Sequence, residues 1–240
     1  MAVVIEVIGF DADDTLWHSE ALYYRVQQEF KALLAPYYGD DGVLDKLYET
    51  EMGNLPCWGY GIKGFALSMI ETAIQITGGQ IGAQQIQKII ELAKEMKRTP
   101  VRLLPHVAEV LPALSESHRL VLITKGDLFD QEAKIASSGL ASYFEHVEIV
   151  TDKTPDVYRM LLGKYRIEPR CFLMVGNSIR SDISPVVALG GRAVHIPYPI
   201  TWAHEAVPVQ EGEASGYIEL EHIGLLPGFV GGVVRSGTGE

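Results

Sequence analysis

Val3-Val4-Ile5-Glu6-Val7-Ile8-Gly9-Phe10-Asp11-Ala12-Asp13-Asp14-Thr15-Leu16 is an apolar, β-branched run that stops on a cluster of carboxylates. Residues 3–10 read as a strand buried on both faces. Parallel α/β folds bind their ligands at the carboxyl ends of such strands, so Asp11, Asp13 and Asp14 stand where a site would form. A calcium loop of the EF-hand type is excluded, because Leu16 takes the position of its glycine and Leu22 that of its bidentate glutamate.

Beyond this strand the pattern changes. Residues 20–34, 43–52, 65–76 and 86–96 carry apolar side chains at helical spacing, and no strand is evident among them. The stretch 53–64, rich in glycine and aromatics, reads as a linker between two helical pairs. After Pro105 strands and helices alternate. Strands are expected at 119–124, 146–150, 171–175 and 192–196, and helices at 106–117, 127–138, 155–166 and 181–189. Alternation of this kind predicts a parallel sheet with right-handed crossovers. The fold class is therefore α/β: a Rossmann-like parallel-sheet core from residues 1–16 and 100–240, with an inserted all-α helical domain at 17–99. The Gly-rich segment 230–240 is expected to fray.

The chain of 240 residues carries a formal net charge of -11 and no Lys/Arg cluster. Nucleic acid is a poor partner for such a surface. No apolar stretch is long enough to span a bilayer, and the N-terminal run is too short and too acidic for a signal peptide. Cys57 and Cys171 lie far apart in unlike surroundings and suit reduced thiols better than a disulfide. These features together lead to the expectation of a soluble, cytoplasmic protein. They leave its oligomeric state open.

Four groups of polar residues follow four expected strands: Asp11-Ala12-Asp13-Asp14-Thr15, Thr124-Lys125-Gly126, Lys153, and Gly176-Asn177-Ser178-Ile179-Arg180-Ser181-Asp182. In a doubly wound sheet those loops open on one edge and can converge. Their order resembles the haloacid dehalogenase superfamily. Its motifs are a strand followed by D-x-D-x-T, a strand ending in Ser or Thr, a Lys before a helix, and an acidic loop. The helical insert between the first two motifs matches that superfamily's cap in position and size.

The resemblance implies a Mg²⁺-dependent phosphohydrolase acting on a small-molecule phosphate ester through an aspartyl phosphate. Asp11 would be the nucleophile, splitting one hard displacement into two easier ones. Asp13 would protonate the leaving oxygen and then deprotonate the hydrolytic water. Thr124 would hydrogen-bond a phosphoryl oxygen, with Lys125 and Gly126 beside it. Lys153 would neutralise charge on Asp11 and on the transferring group. The Mg²⁺ ligands would be the Asp11 carboxylate, the Asp13 carbonyl and Asp182, with Asn177 where the superfamily usually has Asp. That replacement keeps an oxygen donor and loses a charge.

Gly59-Tyr60-Gly61-Ile62-Lys63-Gly64 spells the dinucleotide fingerprint but lacks the strand that must precede it. A nucleotide-cofactor site is rejected there. Within the cap, Trp58, Tyr60 and Lys63 are candidate substrate contacts. Trp202-Ala203-His204-Glu205 reads as packing. Rival functions are a 2-haloacid dehalogenase, a phosphomutase, and a non-catalytic phospho-receiver or scaffold. Asp13 argues against the first, since halide needs no proton to leave. The early position of the carboxylate pair and the insert argue against a receiver.

Overall fold

The computed structural model describes residues 4–38, 42–205 and 217–235. Strands β1 (Val7–Phe10), β2 (Arg119–Lys125), β3 (His146–Val150), β4 (Phe172–Gly176), β5 (Arg192–His195) and β6 (Tyr217–Glu219) form one sheet in the order β3-β2-β1-β4-β5-β6. Every pairing is parallel. The helices are α1 (Glu20–Leu34), α2 (Val43–Trp58), α3 (Ile62–Ile76), α4 (Ala83–Arg98), α5 (Val107–Ser115), α6 (Leu128–Ser138), α7 (Pro155–Lys164), α8 (Ser184–Val187) and α9 (Leu226–Arg235).

The chain divides into two compact units. One comprises residues 1–20, 101–125 and 134–240, the other residues 21–100 and 126–133. The first turns of α6 thus group with the helical unit.

In the sheet unit, alternate residues of the central strands feed two cores, as a pleat of period two requires. Ile8, Phe10, Leu122, Leu173 and Val175 pack on one face with Val110 and Leu111 of α5 and Leu226 and Val230 of α9. Val7, Val121, Ile123, Phe172 and Met174 pack on the other with Tyr158, Leu161 and Leu162 of α7. Gly9 has no room for a side chain, because a Cβ there would lie 2.5 Å from Phe172 Cζ. Burial of both faces explains why β1 and β4 read as nearly unbroken apolar runs.

In the helical unit, Val26, Phe30 and Leu34 of α1 meet Val43 and Leu47 of α2, Phe65 and Met69 of α3, and Ile89 and Leu92 of α4 in a separate core.

Four sequence readings change. The stretch 53–64 is no linker: α2 runs through Gly53 and Pro56 to Trp58, and α3 starts at Ile62. Pro56 falls in the last turn, so the one ladder bond it removes and any kink it imposes are confined to the helix end. The three fingerprint glycines build the turn instead. Gly59 and Gly61 have φ of 69° and 110°, and a Cβ on Gly64 would stand 2.8 Å from the Gly59 carbonyl oxygen. The turn between α2 and α3 is reinforced by Asn54 Nδ2, which donates to Ser68 Oγ at 3.1 Å and to Glu71 Oε2 at 2.8 Å.

The second change is α9. Residues 230–235 continue a helix anchored by Leu226 and Val230, each nearly inaccessible to solvent; residues 236–240 lie outside the described residues. The third is β6, an added edge strand at 217–219. The expected helix at 181–189 is a wide turn at Ile179–Ile183 followed by the short α8. Among the described residues, no helix is long and apolar enough to cross a membrane.

Candidate active site

β1 carries Asp11 to the sheet's carboxyl edge, where its N–H donates to the Val175 carbonyl at 2.9 Å. The register pairs Phe10 with Leu122 on β2 and with Val175 on β4. Asp11 therefore emerges between the ends of the strands that carry Thr124 and Gly176. Its side chain is buried and both oxygens are held. Oδ1 accepts from Lys153 Nζ at 2.5 Å and Oδ2 from Thr15 Oγ1 at 3.0 Å.

Lys153 comes from the loop between β3 and α7. Thr154 caps α7 by accepting from Val157 N at 3.3 Å, and Pro155 is the first helical residue. The lysine thus sits just ahead of a helix start, with its side chain 1% exposed. Its ammonium also donates to Asp182 Oδ1 at 2.7 Å. Burial works against its charge, but Asp11 and Asp182 together outweigh it and hold Lys153 above the usual lysine range. Burial pushes Asp11 upward, against the pull of Lys153 and with the help of Asp182.

Asp182 is fixed from the other side by Ser178 N, which donates to its Oδ2 at 3.0 Å. Ser178 Oγ accepts from Ser181 N at 3.0 Å, and Tyr158, entirely buried, donates its hydroxyl to the Ser181 carbonyl at 3.1 Å. Gly176 lets this turn close, since a Cβ there would lie 2.2 Å from Asp182 Oδ2.

The inner end of the Asn177 amide lies 3.2 Å from Asp11 Oδ2, 3.3 Å from the Asp13 carbonyl oxygen and 3.3 Å from Thr15 Oγ1. Turned nitrogen-inward, the amide donates to them. Turned oxygen-inward, it joins Asp11 Oδ2 and the Asp13 carbonyl as a third hard oxygen, the donor type that Mg²⁺-like cations take. In that second orientation the three oxygens would suit such an ion, with Asp11 supplying the one charge among them. Among the described residues, no cluster of three or more His, Cys, Asp or Glu side chains has metal-site spacing.

Asp13 turns its carboxylate to Trp17 and Lys134. Trp17 Nε1 donates to Oδ1 at 2.7 Å, and Lys134 Nζ donates to Oδ1 at 2.9 Å and Oδ2 at 2.8 Å. Asp14 takes the capping role that an acidic turn suggests. It adopts a left-handed φ of 63° and accepts from Ser19 N and Glu20 N at 2.8 and 2.9 Å, at the start of α1. Burial pushes its carboxyl up to about 7 despite those two donors.

Thr124 is buried at the end of β2. Lys125 forms an ion pair with Glu205 and donates to Ser181 Oγ at 3.1 Å. Gly126 has φ 145°, a backbone angle that favours glycine. In the helical unit, Lys63 pairs with Asp127 at 2.7 Å and lies over the Phe129 ring, while Trp58 is 54% exposed. The site thus brings together Asp11, Asn177, Lys153 and Asp182, with the Asp13 carbonyl alongside. Trp58, Tyr60 and Lys63 belong to the other unit.

Sequence reasoning passed over Lys134, Tyr158 and Glu205. Glu205 sits in the segment read as packing, yet it accepts from Ser178 Oγ at 2.5 Å and Ser181 Oγ at 2.7 Å, inside the turn that holds Asp182. Nothing in the local pattern around Lys134 or Tyr158 distinguishes either from other helix residues.

Known proteins resemble this chain over most of its length. A crystal structure of a haloacid dehalogenase-like hydrolase from Xanthomonas campestris is 37% identical, covers 98% of this chain and 94% of that one, and superposes with a TM-score of 0.86. Human N-acylneuraminate-9-phosphatase is 27% identical over 201 residues, 79% of this chain and 81% of its own length. Glyceraldehyde 3-phosphate phosphatase from Pyrococcus abyssi is 31% identical over 104 residues, 41% of this chain and 44% of that protein. The family model for haloacid dehalogenase-like hydrolases matches residues 5–190, and the chain belongs to that family of enzymes.

Proposed function

We propose that the protein is a Mg²⁺-dependent phosphatase of small phosphorylated metabolites, with Asp11 as its nucleophile. The observation that carries this reading is the buried chain Asp11–Lys153–Asp182, in which one ammonium holds two carboxylates at 2.5 and 2.7 Å. A nucleophilic carboxylate must stay aimed and ionised beside an anionic substrate, and a fixed cation serves both needs. The two phosphatases among the relatives support phosphate as the group transferred.

In the first half-reaction an Asp11 oxygen bonds to phosphorus as the bond to the leaving oxygen breaks, and Asp13 supplies the proton that the leaving oxygen takes. In the second, water attacks the phosphoryl group, Asp13 takes the water's proton, and the bond to Asp11 breaks. Thr124 holds a phosphoryl oxygen, and Lys153 balances charge throughout. Mg²⁺, held by Asp11, the Asp13 carbonyl and Asn177 with Asp182 behind them, would screen the repulsion between carboxylate and phosphate. From the resemblance alone, choice of the leaving group is proposed to fall to the helical unit, with Trp58, Tyr60 and Lys63 as its candidate residues.

Purified protein should release nitrophenolate from p-nitrophenyl phosphate with Mg²⁺ and stop on addition of EDTA, and Asp11→Asn should be inert. Hydrolysis by Asp11→Asn at the wild-type rate would remove the nucleophile assignment. A screen of sugar phosphates, phosphorylated acids and nucleoside monophosphates then ranks substrates by kcat/KM.

A further inference from the structure

Asp13 is held by two residues that belong to none of the four motifs. Trp17 Nε1 and Lys134 Nζ both donate to its Oδ1, and Lys134 donates to its Oδ2 as well, at 2.7, 2.9 and 2.8 Å. Both partners are themselves fixed. Trp17 is 1% exposed, its carbonyl accepts from Asp14 N at 2.7 Å, and it forms an antiparallel bridge with Leu103. Lys134 precedes Ile135, which is buried in the sheet unit's core, and its side chain is only 21% exposed. A surface lysine commonly touches one carboxylate oxygen and moves. Here one ammonium spans both oxygens, and an indole fixes the plane from a second direction.

Three donations onto two oxygens fix the plane and the direction of this carboxylate. We propose that Lys134 is a positioning residue that holds Asp13 ready to deprotonate the hydrolytic water, with Trp17 as its rigid counterpart. The proposal rests on the reading of Asp13 as the acid/base group. In the step concerned, the water oxygen bonds to phosphorus, its proton passes to an Asp13 oxygen, and the phosphorus–oxygen bond to Asp11 breaks. Lys134 touches none of the reacting atoms. It fixes the direction from which the proton is taken, and general-base catalysis depends on that geometry.

The test separates the two half-reactions. For p-nitrophenyl phosphate, kcat/KM reports steps up to departure of nitrophenolate, a leaving group that needs little protonation, while kcat includes hydrolysis of the aspartyl phosphate. Lys134→Met should lower kcat by ~10-fold or more while kcat/KM stays within ~3-fold, so that KM falls with kcat. Rapid mixing should show a nitrophenolate burst approaching one equivalent per site. Lys134→Arg, which retains a charged two-point grip, should recover most of kcat, and Lys134→Gln, which is shorter and uncharged, should fall between.

Equal loss of kcat and kcat/KM without a burst in both Lys134→Met and Lys134→Gln would overturn the proposal, as would wild-type kcat in either folded variant. Asp11→Asn assayed in parallel keeps the outcomes apart. If it is inert while Lys134→Met behaves as wild type, the positioning role fails and the phosphatase reading stands. If Asp11→Asn retains activity, the underlying reading fails.

Discussion

Lys125 and Glu205 form an ion pair with only 15% and 13% of their side chains exposed. The pair ties the end of β2 to the turn that carries Asp182, because the same Glu205 carboxylate accepts from Ser178 and Ser181. The lysine beside Thr124 therefore spends its charge inside the protein. Glu205 becomes a structural keystone for two of the four loops, although it lies 23 residues beyond the last motif residue, Asp182.

This arrangement makes the fold acid-sensitive in a defined window. Burial alone would raise the Glu205 carboxyl, but Lys125 and the two serine hydroxyls override it and hold the group down at about 2, against an ordinary 4.5. A depressed carboxyl stabilises the folded state above its unfolded value and loses that contribution as the pH falls from about 4.5 toward 2. Glu205→Gln should cost on the order of 2 kcal/mol at pH 7, or about 4–8 °C in Tm. Denaturant titrations should show a constant gap between wild type and variant from pH 8 to 5, narrowing below pH 4.5. A gap that stays constant down to pH 3 would mean that the ion pair contributes nothing.

At Gly176, shape and chemistry meet in one atom. An added Cβ would lie 2.2 Å from Asp182 Oδ2 and 2.3 Å from its Cγ, so Gly176→Ala must push Asp182 off Lys153 and off the Ser178 N–H. A displacement near 1 Å at a catalytic site costs about 100-fold in rate. The variant should lose at least that in kcat and about 1–3 kcal/mol in stability, as an overpacked site does. Steady-state kinetics and thermal melts check it, and near-normal kcat would show that Asp182 is free to move without consequence.

Glycines in the helical unit should respond with opposite signs. Gly61 has φ 110°, and a Cβ there would sit 2.9 Å from Asp127 Cβ. Gly61→Ala is expected to destabilise by about 1–3 kcal/mol. Gly53 lies within α2 with nothing within 4 Å of its notional Cβ, so Gly53→Ala should stabilise by about 0.5–1 kcal/mol. Equal melting temperatures for the two variants would contradict the turn geometry.

β1, β2 and β4 were legible because they are buried on both faces and so have no polar side to disguise them. β6 escaped notice because Tyr217, Ile218 and Glu219 form a three-residue edge strand, with Ile218 and Glu219 exposed. α2 was cut short because Gly53 and Pro56 are locally unfavourable for helix. The packing of Asn54 against α3 overrides that preference. The motif residues could be found from spelling and strand position, since each follows a strand. Their helpers could not. Lys134, Tyr158 and Glu205 act across gaps of 121, 23 and 27 or 24 residues to their partners, distances that only the folded chain closes.

The strongest single test of the site's electrostatics is Lys153→Met. The substitution keeps most of the side-chain volume and removes the cation that contacts both Asp11 and Asp182. Two buried carboxylates would then face each other across an apolar side chain. Breaking a buried pair by deleting one partner costs about 3–5 kcal/mol, and activity should fall by about 1,000-fold or more because charge on the transferring phosphoryl group goes unbalanced. Adding Asp182→Asn in the same chain removes one of the two stranded charges. The double variant should recover much of the lost stability and none of the activity. Recovery of both would mean that Lys153 serves the fold alone. Recovery of neither would mean that Asp11 and Asp182 are not coupled through it.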